Sequence, residues 1–139
     1  MNYYTYESLK IGQFEKFSIL VTNEMMEKFY IITGDTNPLH NDKEFAKYQE
    51  YKDNVVYGML TASFLSTLAG VYIPGKLSLI QSLNIDFVKP VYVGNKLTIL
   101  GIVKELNDTV KQMTLKVEIY NENNEKILRG KMKVGFLNE

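Results

Sequence analysis

Cysteine is absent from this chain of 139 residues, histidine occurs once, and proline occurs three times. Without cysteine there is no disulfide, no thiolate nucleophile and none of the common zinc cages. A chain with no disulfides fits the cytoplasm. Net charge is missing as well. The 16 basic and 16 acidic side chains balance, so nothing points to nucleic acid or to an anionic membrane surface. The two halves differ mildly, with 6 basic and 9 acidic residues in 1–70 against 10 and 7 in 71–139. There is no internal repeat, no low-complexity linker, no G-x-S-x-G elbow and no G-x-G-x-x-G fingerprint. The opening Met-Asn-Tyr-Tyr-Thr-Tyr-Glu carries neither the basic nor the apolar region of a secretory signal. A chain of this length predicts one domain over 1–139, with a substantial core.

Charge is also absent between Asn54 and Gly75. A run of about 20 apolar residues is long enough to cross a bilayer. This one is broken by Thr61, Ser63, Ser66, Thr67, glycines and Pro74, and lacks strong basic anchors at its ends. A helix buried inside a fold has the same hydropathy, and that is the reading we expect.

Periodicity divides the chain in two. Phe14 to Val21 reads as a strand. Thr22 or Asn23 can cap a helix that runs to about Thr33, with Met25, Phe29, Tyr30 and Ile32 facing a core. Gly34 ends it. Pro38 forbids a helix through the next segment, and Asp42 can cap a short one through Phe45 and Tyr48. The uncharged helix spans roughly Gly58 to Gly70. From Leu77 onward apolar residues alternate, giving strands near 77–87, 97–105, 113–119 and 127–136. Turns are expected at Lys89-Pro90, at Gly94-Asn95 and over 121–124. The pattern predicts an antiparallel meander that, with the first strand, sets five strands against one apolar helix. Such a helix needs cover on more than one side. Either the sheet curls around it or a second subunit helps.

Acid–base chemistry near neutral pH has one obvious location. The sole histidine, His40, follows Asp35 by five residues in Gly34-Asp35-Thr36-Asn37-Pro38-Leu39-His40-Asn41-Asp42. Free imidazole titrates near pH 6.5, and a neighbouring carboxylate can orient it or share a water with it. Asp, Asn and Pro in series also make plain turns, and a lone histidine can be structural, so the residues alone leave both readings open. Gly58 opens the uncharged helix. Its N–H is among the first unpaired donors at the positive end of the dipole, suited to a polarised carbonyl oxygen. Glycine there equally permits a tight turn or close packing. Two other patterns carry less. Gly70-Val-Tyr-Ile-Pro-Gly75-Lys76 resembles the start of a phosphate loop, but Leu77 stands where Ser or Thr must bind magnesium. His40 and Asp42 could each give a metal ligand, yet no further histidine exists to complete a site.

The combination Asp35-x-Asn37-Pro38-x-His40-x-Asp42, followed by Gly58-Met59-Leu60, resembles the signature of the MaoC-like, (R)-specific enoyl-CoA hydratases. Similar residues continue through Pro74-Gly75, the strand Ser82 to Phe87, Lys89-Pro90-Val91 and Val93-Gly94-Asn95. The resemblance implies an α+β hot-dog fold, in which a curved antiparallel sheet wraps a central helix, and pairing into a homodimer or higher homo-oligomer. It implies that Asp35 and His40 hold the water added to a trans-2-enoyl thioester and that the Gly58 amide binds the thioester carbonyl. Asn37, Ser66 and Tyr57 would support the site. The implied substrate is an acyl-CoA thioester, with acyl carrier protein as the other carrier, and no cofactor or metal is implied. Neither nucleic acid nor a membrane is an expected partner. One departure stands out: Tyr57 occupies a position where the family usually has histidine. A hot-dog acyl-CoA thioesterase and a non-catalytic acyl-thioester-binding subunit are the alternative readings. Leu39, Met59 and Phe64 are expected to set pocket depth.

Overall fold

The computed structural model describes residues 1–139. After a 3-10 turn at Tyr6–Ser8 come strand β1 (Phe14–Leu20), helix α1 (Asn23–Thr33), helix α2 (Lys43–Tyr48) and helix α3 (Gly58–Thr67). Strands β2 (Ser78–Phe87), β3 (Lys96–Asn107), β4 (Gln112–Tyr120) and β5 (Lys126–Phe136) follow. All five strands form one antiparallel sheet in the order β1-β3-β4-β5-β2. The sheet holds α3 against its concave side, which is the expected hot-dog arrangement.

The local signals behave as their chemistry requires. Thr22 Oγ1 accepts the Met25 N–H at 3.3 Å and caps α1. Gly34 closes α1 in the left-handed region at φ 68°. Asp42 Oδ1 accepts the Phe45 N–H at 3.1 Å and caps α2.

The expected meander needs correction. β3, β4 and β5 do follow one another as neighbours, but β2 pairs with β5 rather than β3. The connection 88–95 contains both turn signals and runs across the end of the sheet. Its reach when extended is about 26 Å, more than the roughly 14 Å across three strand spacings. It is tied down on the way. Val88 N–H donates to Ile127 O at 2.8 Å, Val56 N–H to Val91 O at 2.8 Å, and Gly94 N–H to Val21 O at 2.8 Å. β2 and β1 are therefore the two edges.

The core lies between α3 and the inner face of β3, β4 and β5. Leu60, Phe64, Leu65 and Leu68 meet Leu97, Ile99, Val103, Leu115, Val117, Ile119 and Met132. Burying each large aliphatic side chain contributes about 1.5–3 kcal/mol. Gly101 lets the sheet approach closely, since a Cβ there would stand 2.9 Å from Leu68 Cδ2. After Thr67 the helix widens into a π-helical turn over Leu68–Tyr72, where Ile73 N–H donates to Leu68 O at 2.8 Å. The segment that resembles a phosphate loop is this turn and its exit, and the Gly75 backbone packs directly on that of Asn2.

Three burial expectations differ from what is found. In α1, Met25 and Phe29 are half-buried, but Tyr30 and Ile32 are exposed. Both lie in the last turn of the helix. On β2, Leu77 just before the strand is buried, while Leu79, Leu83 and Phe87 are exposed. Finally, α3 is not enclosed on all sides of this chain, because Met59, Ser63 and Ser66 form an exposed stripe. No helix is long and apolar enough to cross a membrane.

Candidate active site

Two loops and one helix terminus build the site. Residues 34–42 form a chain of side-chain-closed turns. Asp35 Oδ1 accepts the Asn37 N–H at 3.0 Å, and Asn37 Oδ1 accepts the Leu39 N–H at 2.9 Å. His40 N–H donates to Asn37 O at 3.1 Å and Asp42 N–H to Pro38 O at 2.9 Å. Asn37 thus braces the loop and does not enter the cavity. The loop is pinned to the segment leading into α3, where Val55 N–H and Asn54 Nδ2 both donate to Leu39 O at 3.2 Å.

His40 Nδ1 lies 2.6 Å from Val55 O. A carbonyl oxygen only accepts, so Nδ1 carries the proton, and a neutral ring keeps its lone pair on Nε2. Tyr57 is 3% exposed. Its ring packs on His40 with centroids 4.2 Å apart and on Phe29 at 4.8 Å. Its hydroxyl donates to the Asp35 backbone carbonyl at 3.2 Å. Burial raises the Tyr57 pKa, and the negative Asp35 raises it further. This phenol therefore stays protonated and acts as a brace.

Asp35, His40, Tyr57 and Gly58 line one cavity of about 600 Å³, together with Phe29, Thr33, Met59 and Phe87. The Gly58 N–H makes no hydrogen bond within the chain, as expected at the first position of a helix. A second cavity, of about 350 Å³, shares His40, Gly58 and Phe87 and continues past Leu39, Thr61 and Lys89. The geometry offers a base, a carboxylate and an unpaired amide around one hollow. That set can activate water beside a polarised carbonyl.

Ser66 is not brought to this hollow within one chain. Its hydroxyl makes no hydrogen bond and lies on the exposed stripe of α3, eight residues beyond Gly58 or about 12 Å along the axis. Leu39 lines the second cavity and Met59 the first, but Phe64 is a core residue and lines neither. Thr61 and Phe87 are among the lining residues not expected from the sequence. Thr61 could have been found from its spacing of three from Gly58, which places both on one helix face. Phe87 carried no such signal, because its role depends on where β2 pairs.

A curved sheet around a helix, with an Asp/His loop set against a helix N-terminus, defines the hot-dog dehydratase class. The MaoC-like domain model matches residues 10–127, and the chain belongs to that family. It is 33% identical over 116 residues to the (R)-specific enoyl-CoA hydratase of Aeromonas caviae, covering 84% of this chain and 87% of that protein. The solved (R)-hydratase from A. caviae superimposes with a TM-score of 0.89 at 31% identity, over 95% of this chain and 99% of that one. The mitochondrial 3-hydroxyacyl-[acyl-carrier-protein] dehydratase of Arabidopsis thaliana is 32% identical over 98 residues, covering 70% of this chain and 57% of that protein. By their names these relatives are hydro-lyases.

Proposed function

We propose that this protein adds water to a trans-2-enoyl thioester to give the (R)-3-hydroxyacyl thioester, and runs the reverse dehydration. The observation that carries the reading is the shared cavity of Asp35, His40 and the unpaired Gly58 amide. Asp35 and His40 hold one water. The pair accepts a proton from it as the hydroxyl adds to C3. Negative charge moves to the thioester oxygen, where the Gly58 N–H and the helix dipole meet it. The proton is then returned to C2 from the same side. Coenzyme A is the favoured carrier and acyl carrier protein the other, as the names of the relatives suggest.

The working unit in this reading is a homodimer or higher homo-oligomer. β2 is an edge with exposed Leu79, Leu83 and Phe87, and the α3 stripe lies bare as well. A second copy would cover both, and Ser66 would then act at the seam. Phe87 lines both cavities, so a pantetheine arm following that seam reaches the site.

Loss of the conjugated-thioester absorbance of crotonyl-CoA tests the activity. Asp35→Asn and His40→Gln should each abolish it while the circular dichroism spectrum stays unchanged. Full rate in both variants would remove the pair from the mechanism. Release of free thiol instead of hydration would make the protein a thioesterase.

A further inference from the structure

Thr61 is 2% exposed, and its Oγ1 is the one buried side-chain nitrogen or oxygen without a hydrogen-bond partner. A helical threonine commonly returns its hydroxyl to the carbonyl four residues back. Here that oxygen, on Tyr57, already accepts the Leu60 and Thr61 N–H groups at 3.0 and 3.2 Å. Helical side chains lean toward the N-terminus, so Thr61 covers the first turn of α3 beside Gly58. Thr61, with its unpaired hydroxyl, and Gly58, with its unpaired amide, are both lining residues of the cavity of about 350 Å³.

The two cavities meet at His40, Gly58 and Phe87 and then diverge. Asp35, Phe29 and Met59 belong to one side only, Thr61, Val55 and Lys89 to the other. If the thioester oxygen sits on the Gly58 amide and C3 faces the water of Asp35 and His40, the acyl group lies on the Asp35 side. The sulfur is the opposite substituent of the same carbonyl carbon, so it leads into the Thr61 side. In coenzyme A and in acyl carrier protein alike, sulfur is followed by two methylenes and a secondary amide. Lys89 is paired with Glu125 Oε2 at 2.6 Å, and of the two hydroxyls whose residues line this cavity, those of Thr61 and Tyr51, Thr61's is the buried one without a partner.

We propose that the Thr61 cavity holds the thiol arm of the substrate and that Thr61 Oγ1 hydrogen-bonds its first amide. This subsite rests on the hydratase reading above. The experiment compares wild type, Thr61→Val and Thr61→Ser on two crotonyl thioesters. One is the N-acetylcysteamine thioester, which has the amide; the other is the S-ethyl thioester, which lacks it. Thr61→Val should lose about 5- to 50-fold in kcat/KM on the amide-bearing substrate and less than about 2-fold on the S-ethyl thioester. Thr61→Ser should keep most of the wild-type rate on both. Equal loss on the two substrates, or no loss on either, overturns the subsite and leaves the hydratase reading standing. If wild type hydrates neither of them nor crotonyl-CoA, both readings fall.

Discussion

Tyr57 and His40 lie ring against ring, centroids 4.2 Å apart and planes tilted by 31°, and the Tyr57 hydroxyl also reaches the Asp35 carbonyl at 3.2 Å. One side chain therefore braces both members of the proposed pair. Tyr57→Phe keeps the ring contact and gives up one hydrogen bond. It should cost about 1 kcal/mol of stability and lower kcat by about 3- to 10-fold through looser placement of Asp35. Tyr57→Ala removes the packing and should cost about 3–5 kcal/mol. Urea unfolding and initial rates check both. An unchanged rate in Tyr57→Phe would reduce the residue to core filling.

Gly58 gives a second test, because its Cα lies under an aromatic ring. A Cβ built at Gly58 stands 3.2 Å from Phe87 Cε1, a contact that Phe87 must relieve by moving a few tenths of an ångström. Phe87 is 51% exposed and has room to move. Alanine is also a good residue for a helix's first turn. Gly58→Ala should thus fold with stability within about 1 kcal/mol of wild type. Crowding where the carbonyl must dock should cut kcat/KM by about 10- to 100-fold. Pairing it with Phe87→Leu should recover part of the loss, a non-additive result expected of residues in contact. Strictly additive losses would mean that the ring does not control access to the amide.

Glu118 ties the outer face of the sheet together. Its carboxylate accepts from Tyr120 and is paired with Lys126 at 2.9 Å and Lys116 at 3.3 Å. Burial works to raise its pKa, but the Tyr120 hydroxyl and the two lysines outweigh it and hold the carboxyl at about 2, below an ordinary 4.5. A depressed folded-state pKa stabilises the fold above the unfolded value and ceases to do so as the group protonates. The contribution should be complete above about pH 4.5 and fall away toward pH 2. Glu118→Gln should lower stability by about 1–3 kcal/mol at pH 7. The gap from wild type should narrow in denaturant titrations as the pH drops through 4 to 3. A gap independent of pH would assign the effect to packing.

Much of this architecture is legible in the residues, and the exceptions have physical causes. Caps at Thr22, Gly34 and Asp42 act through neighbours a few positions away, so local chemistry reveals them. The same holds for the turns at Asp35 and Asn37, where side chains bond the backbone two residues on. Strand order is different. Nothing in Ser78–Phe87 states that its partner is Lys126–Phe136 rather than Lys96–Asn107, because either pairing satisfies alternation. Phe87 therefore joined the site unannounced. Tyr30 and Ile32 fit a helical apolar pattern, but which turns of α1 reach the sheet is a tertiary matter. Apolar residues on β2 and α3 likewise record a need for cover without saying which surface provides it.

Ser66 tests whether that cover is a second copy. It shares the exposed stripe of α3 with Met59 and Ser63, and small side chains there permit a close approach. Within one chain it stands about 12 Å along the helix from Gly58. The proposed oligomer would bring this stripe to a seam, and a bulky charge would then both break the contact and remain unpaired in it. Sedimentation velocity should show wild type as a dimer or larger species and Ser66→Arg as a monomer with little hydration of crotonyl-CoA. Ser66→Ala keeps the stripe small. It should sediment as wild type while losing about 3- to 10-fold in kcat if its hydroxyl steadies the site by one hydrogen bond. A wild-type protein that sediments as a monomer at full activity would sink the seam, and Ser66 would have no part in catalysis.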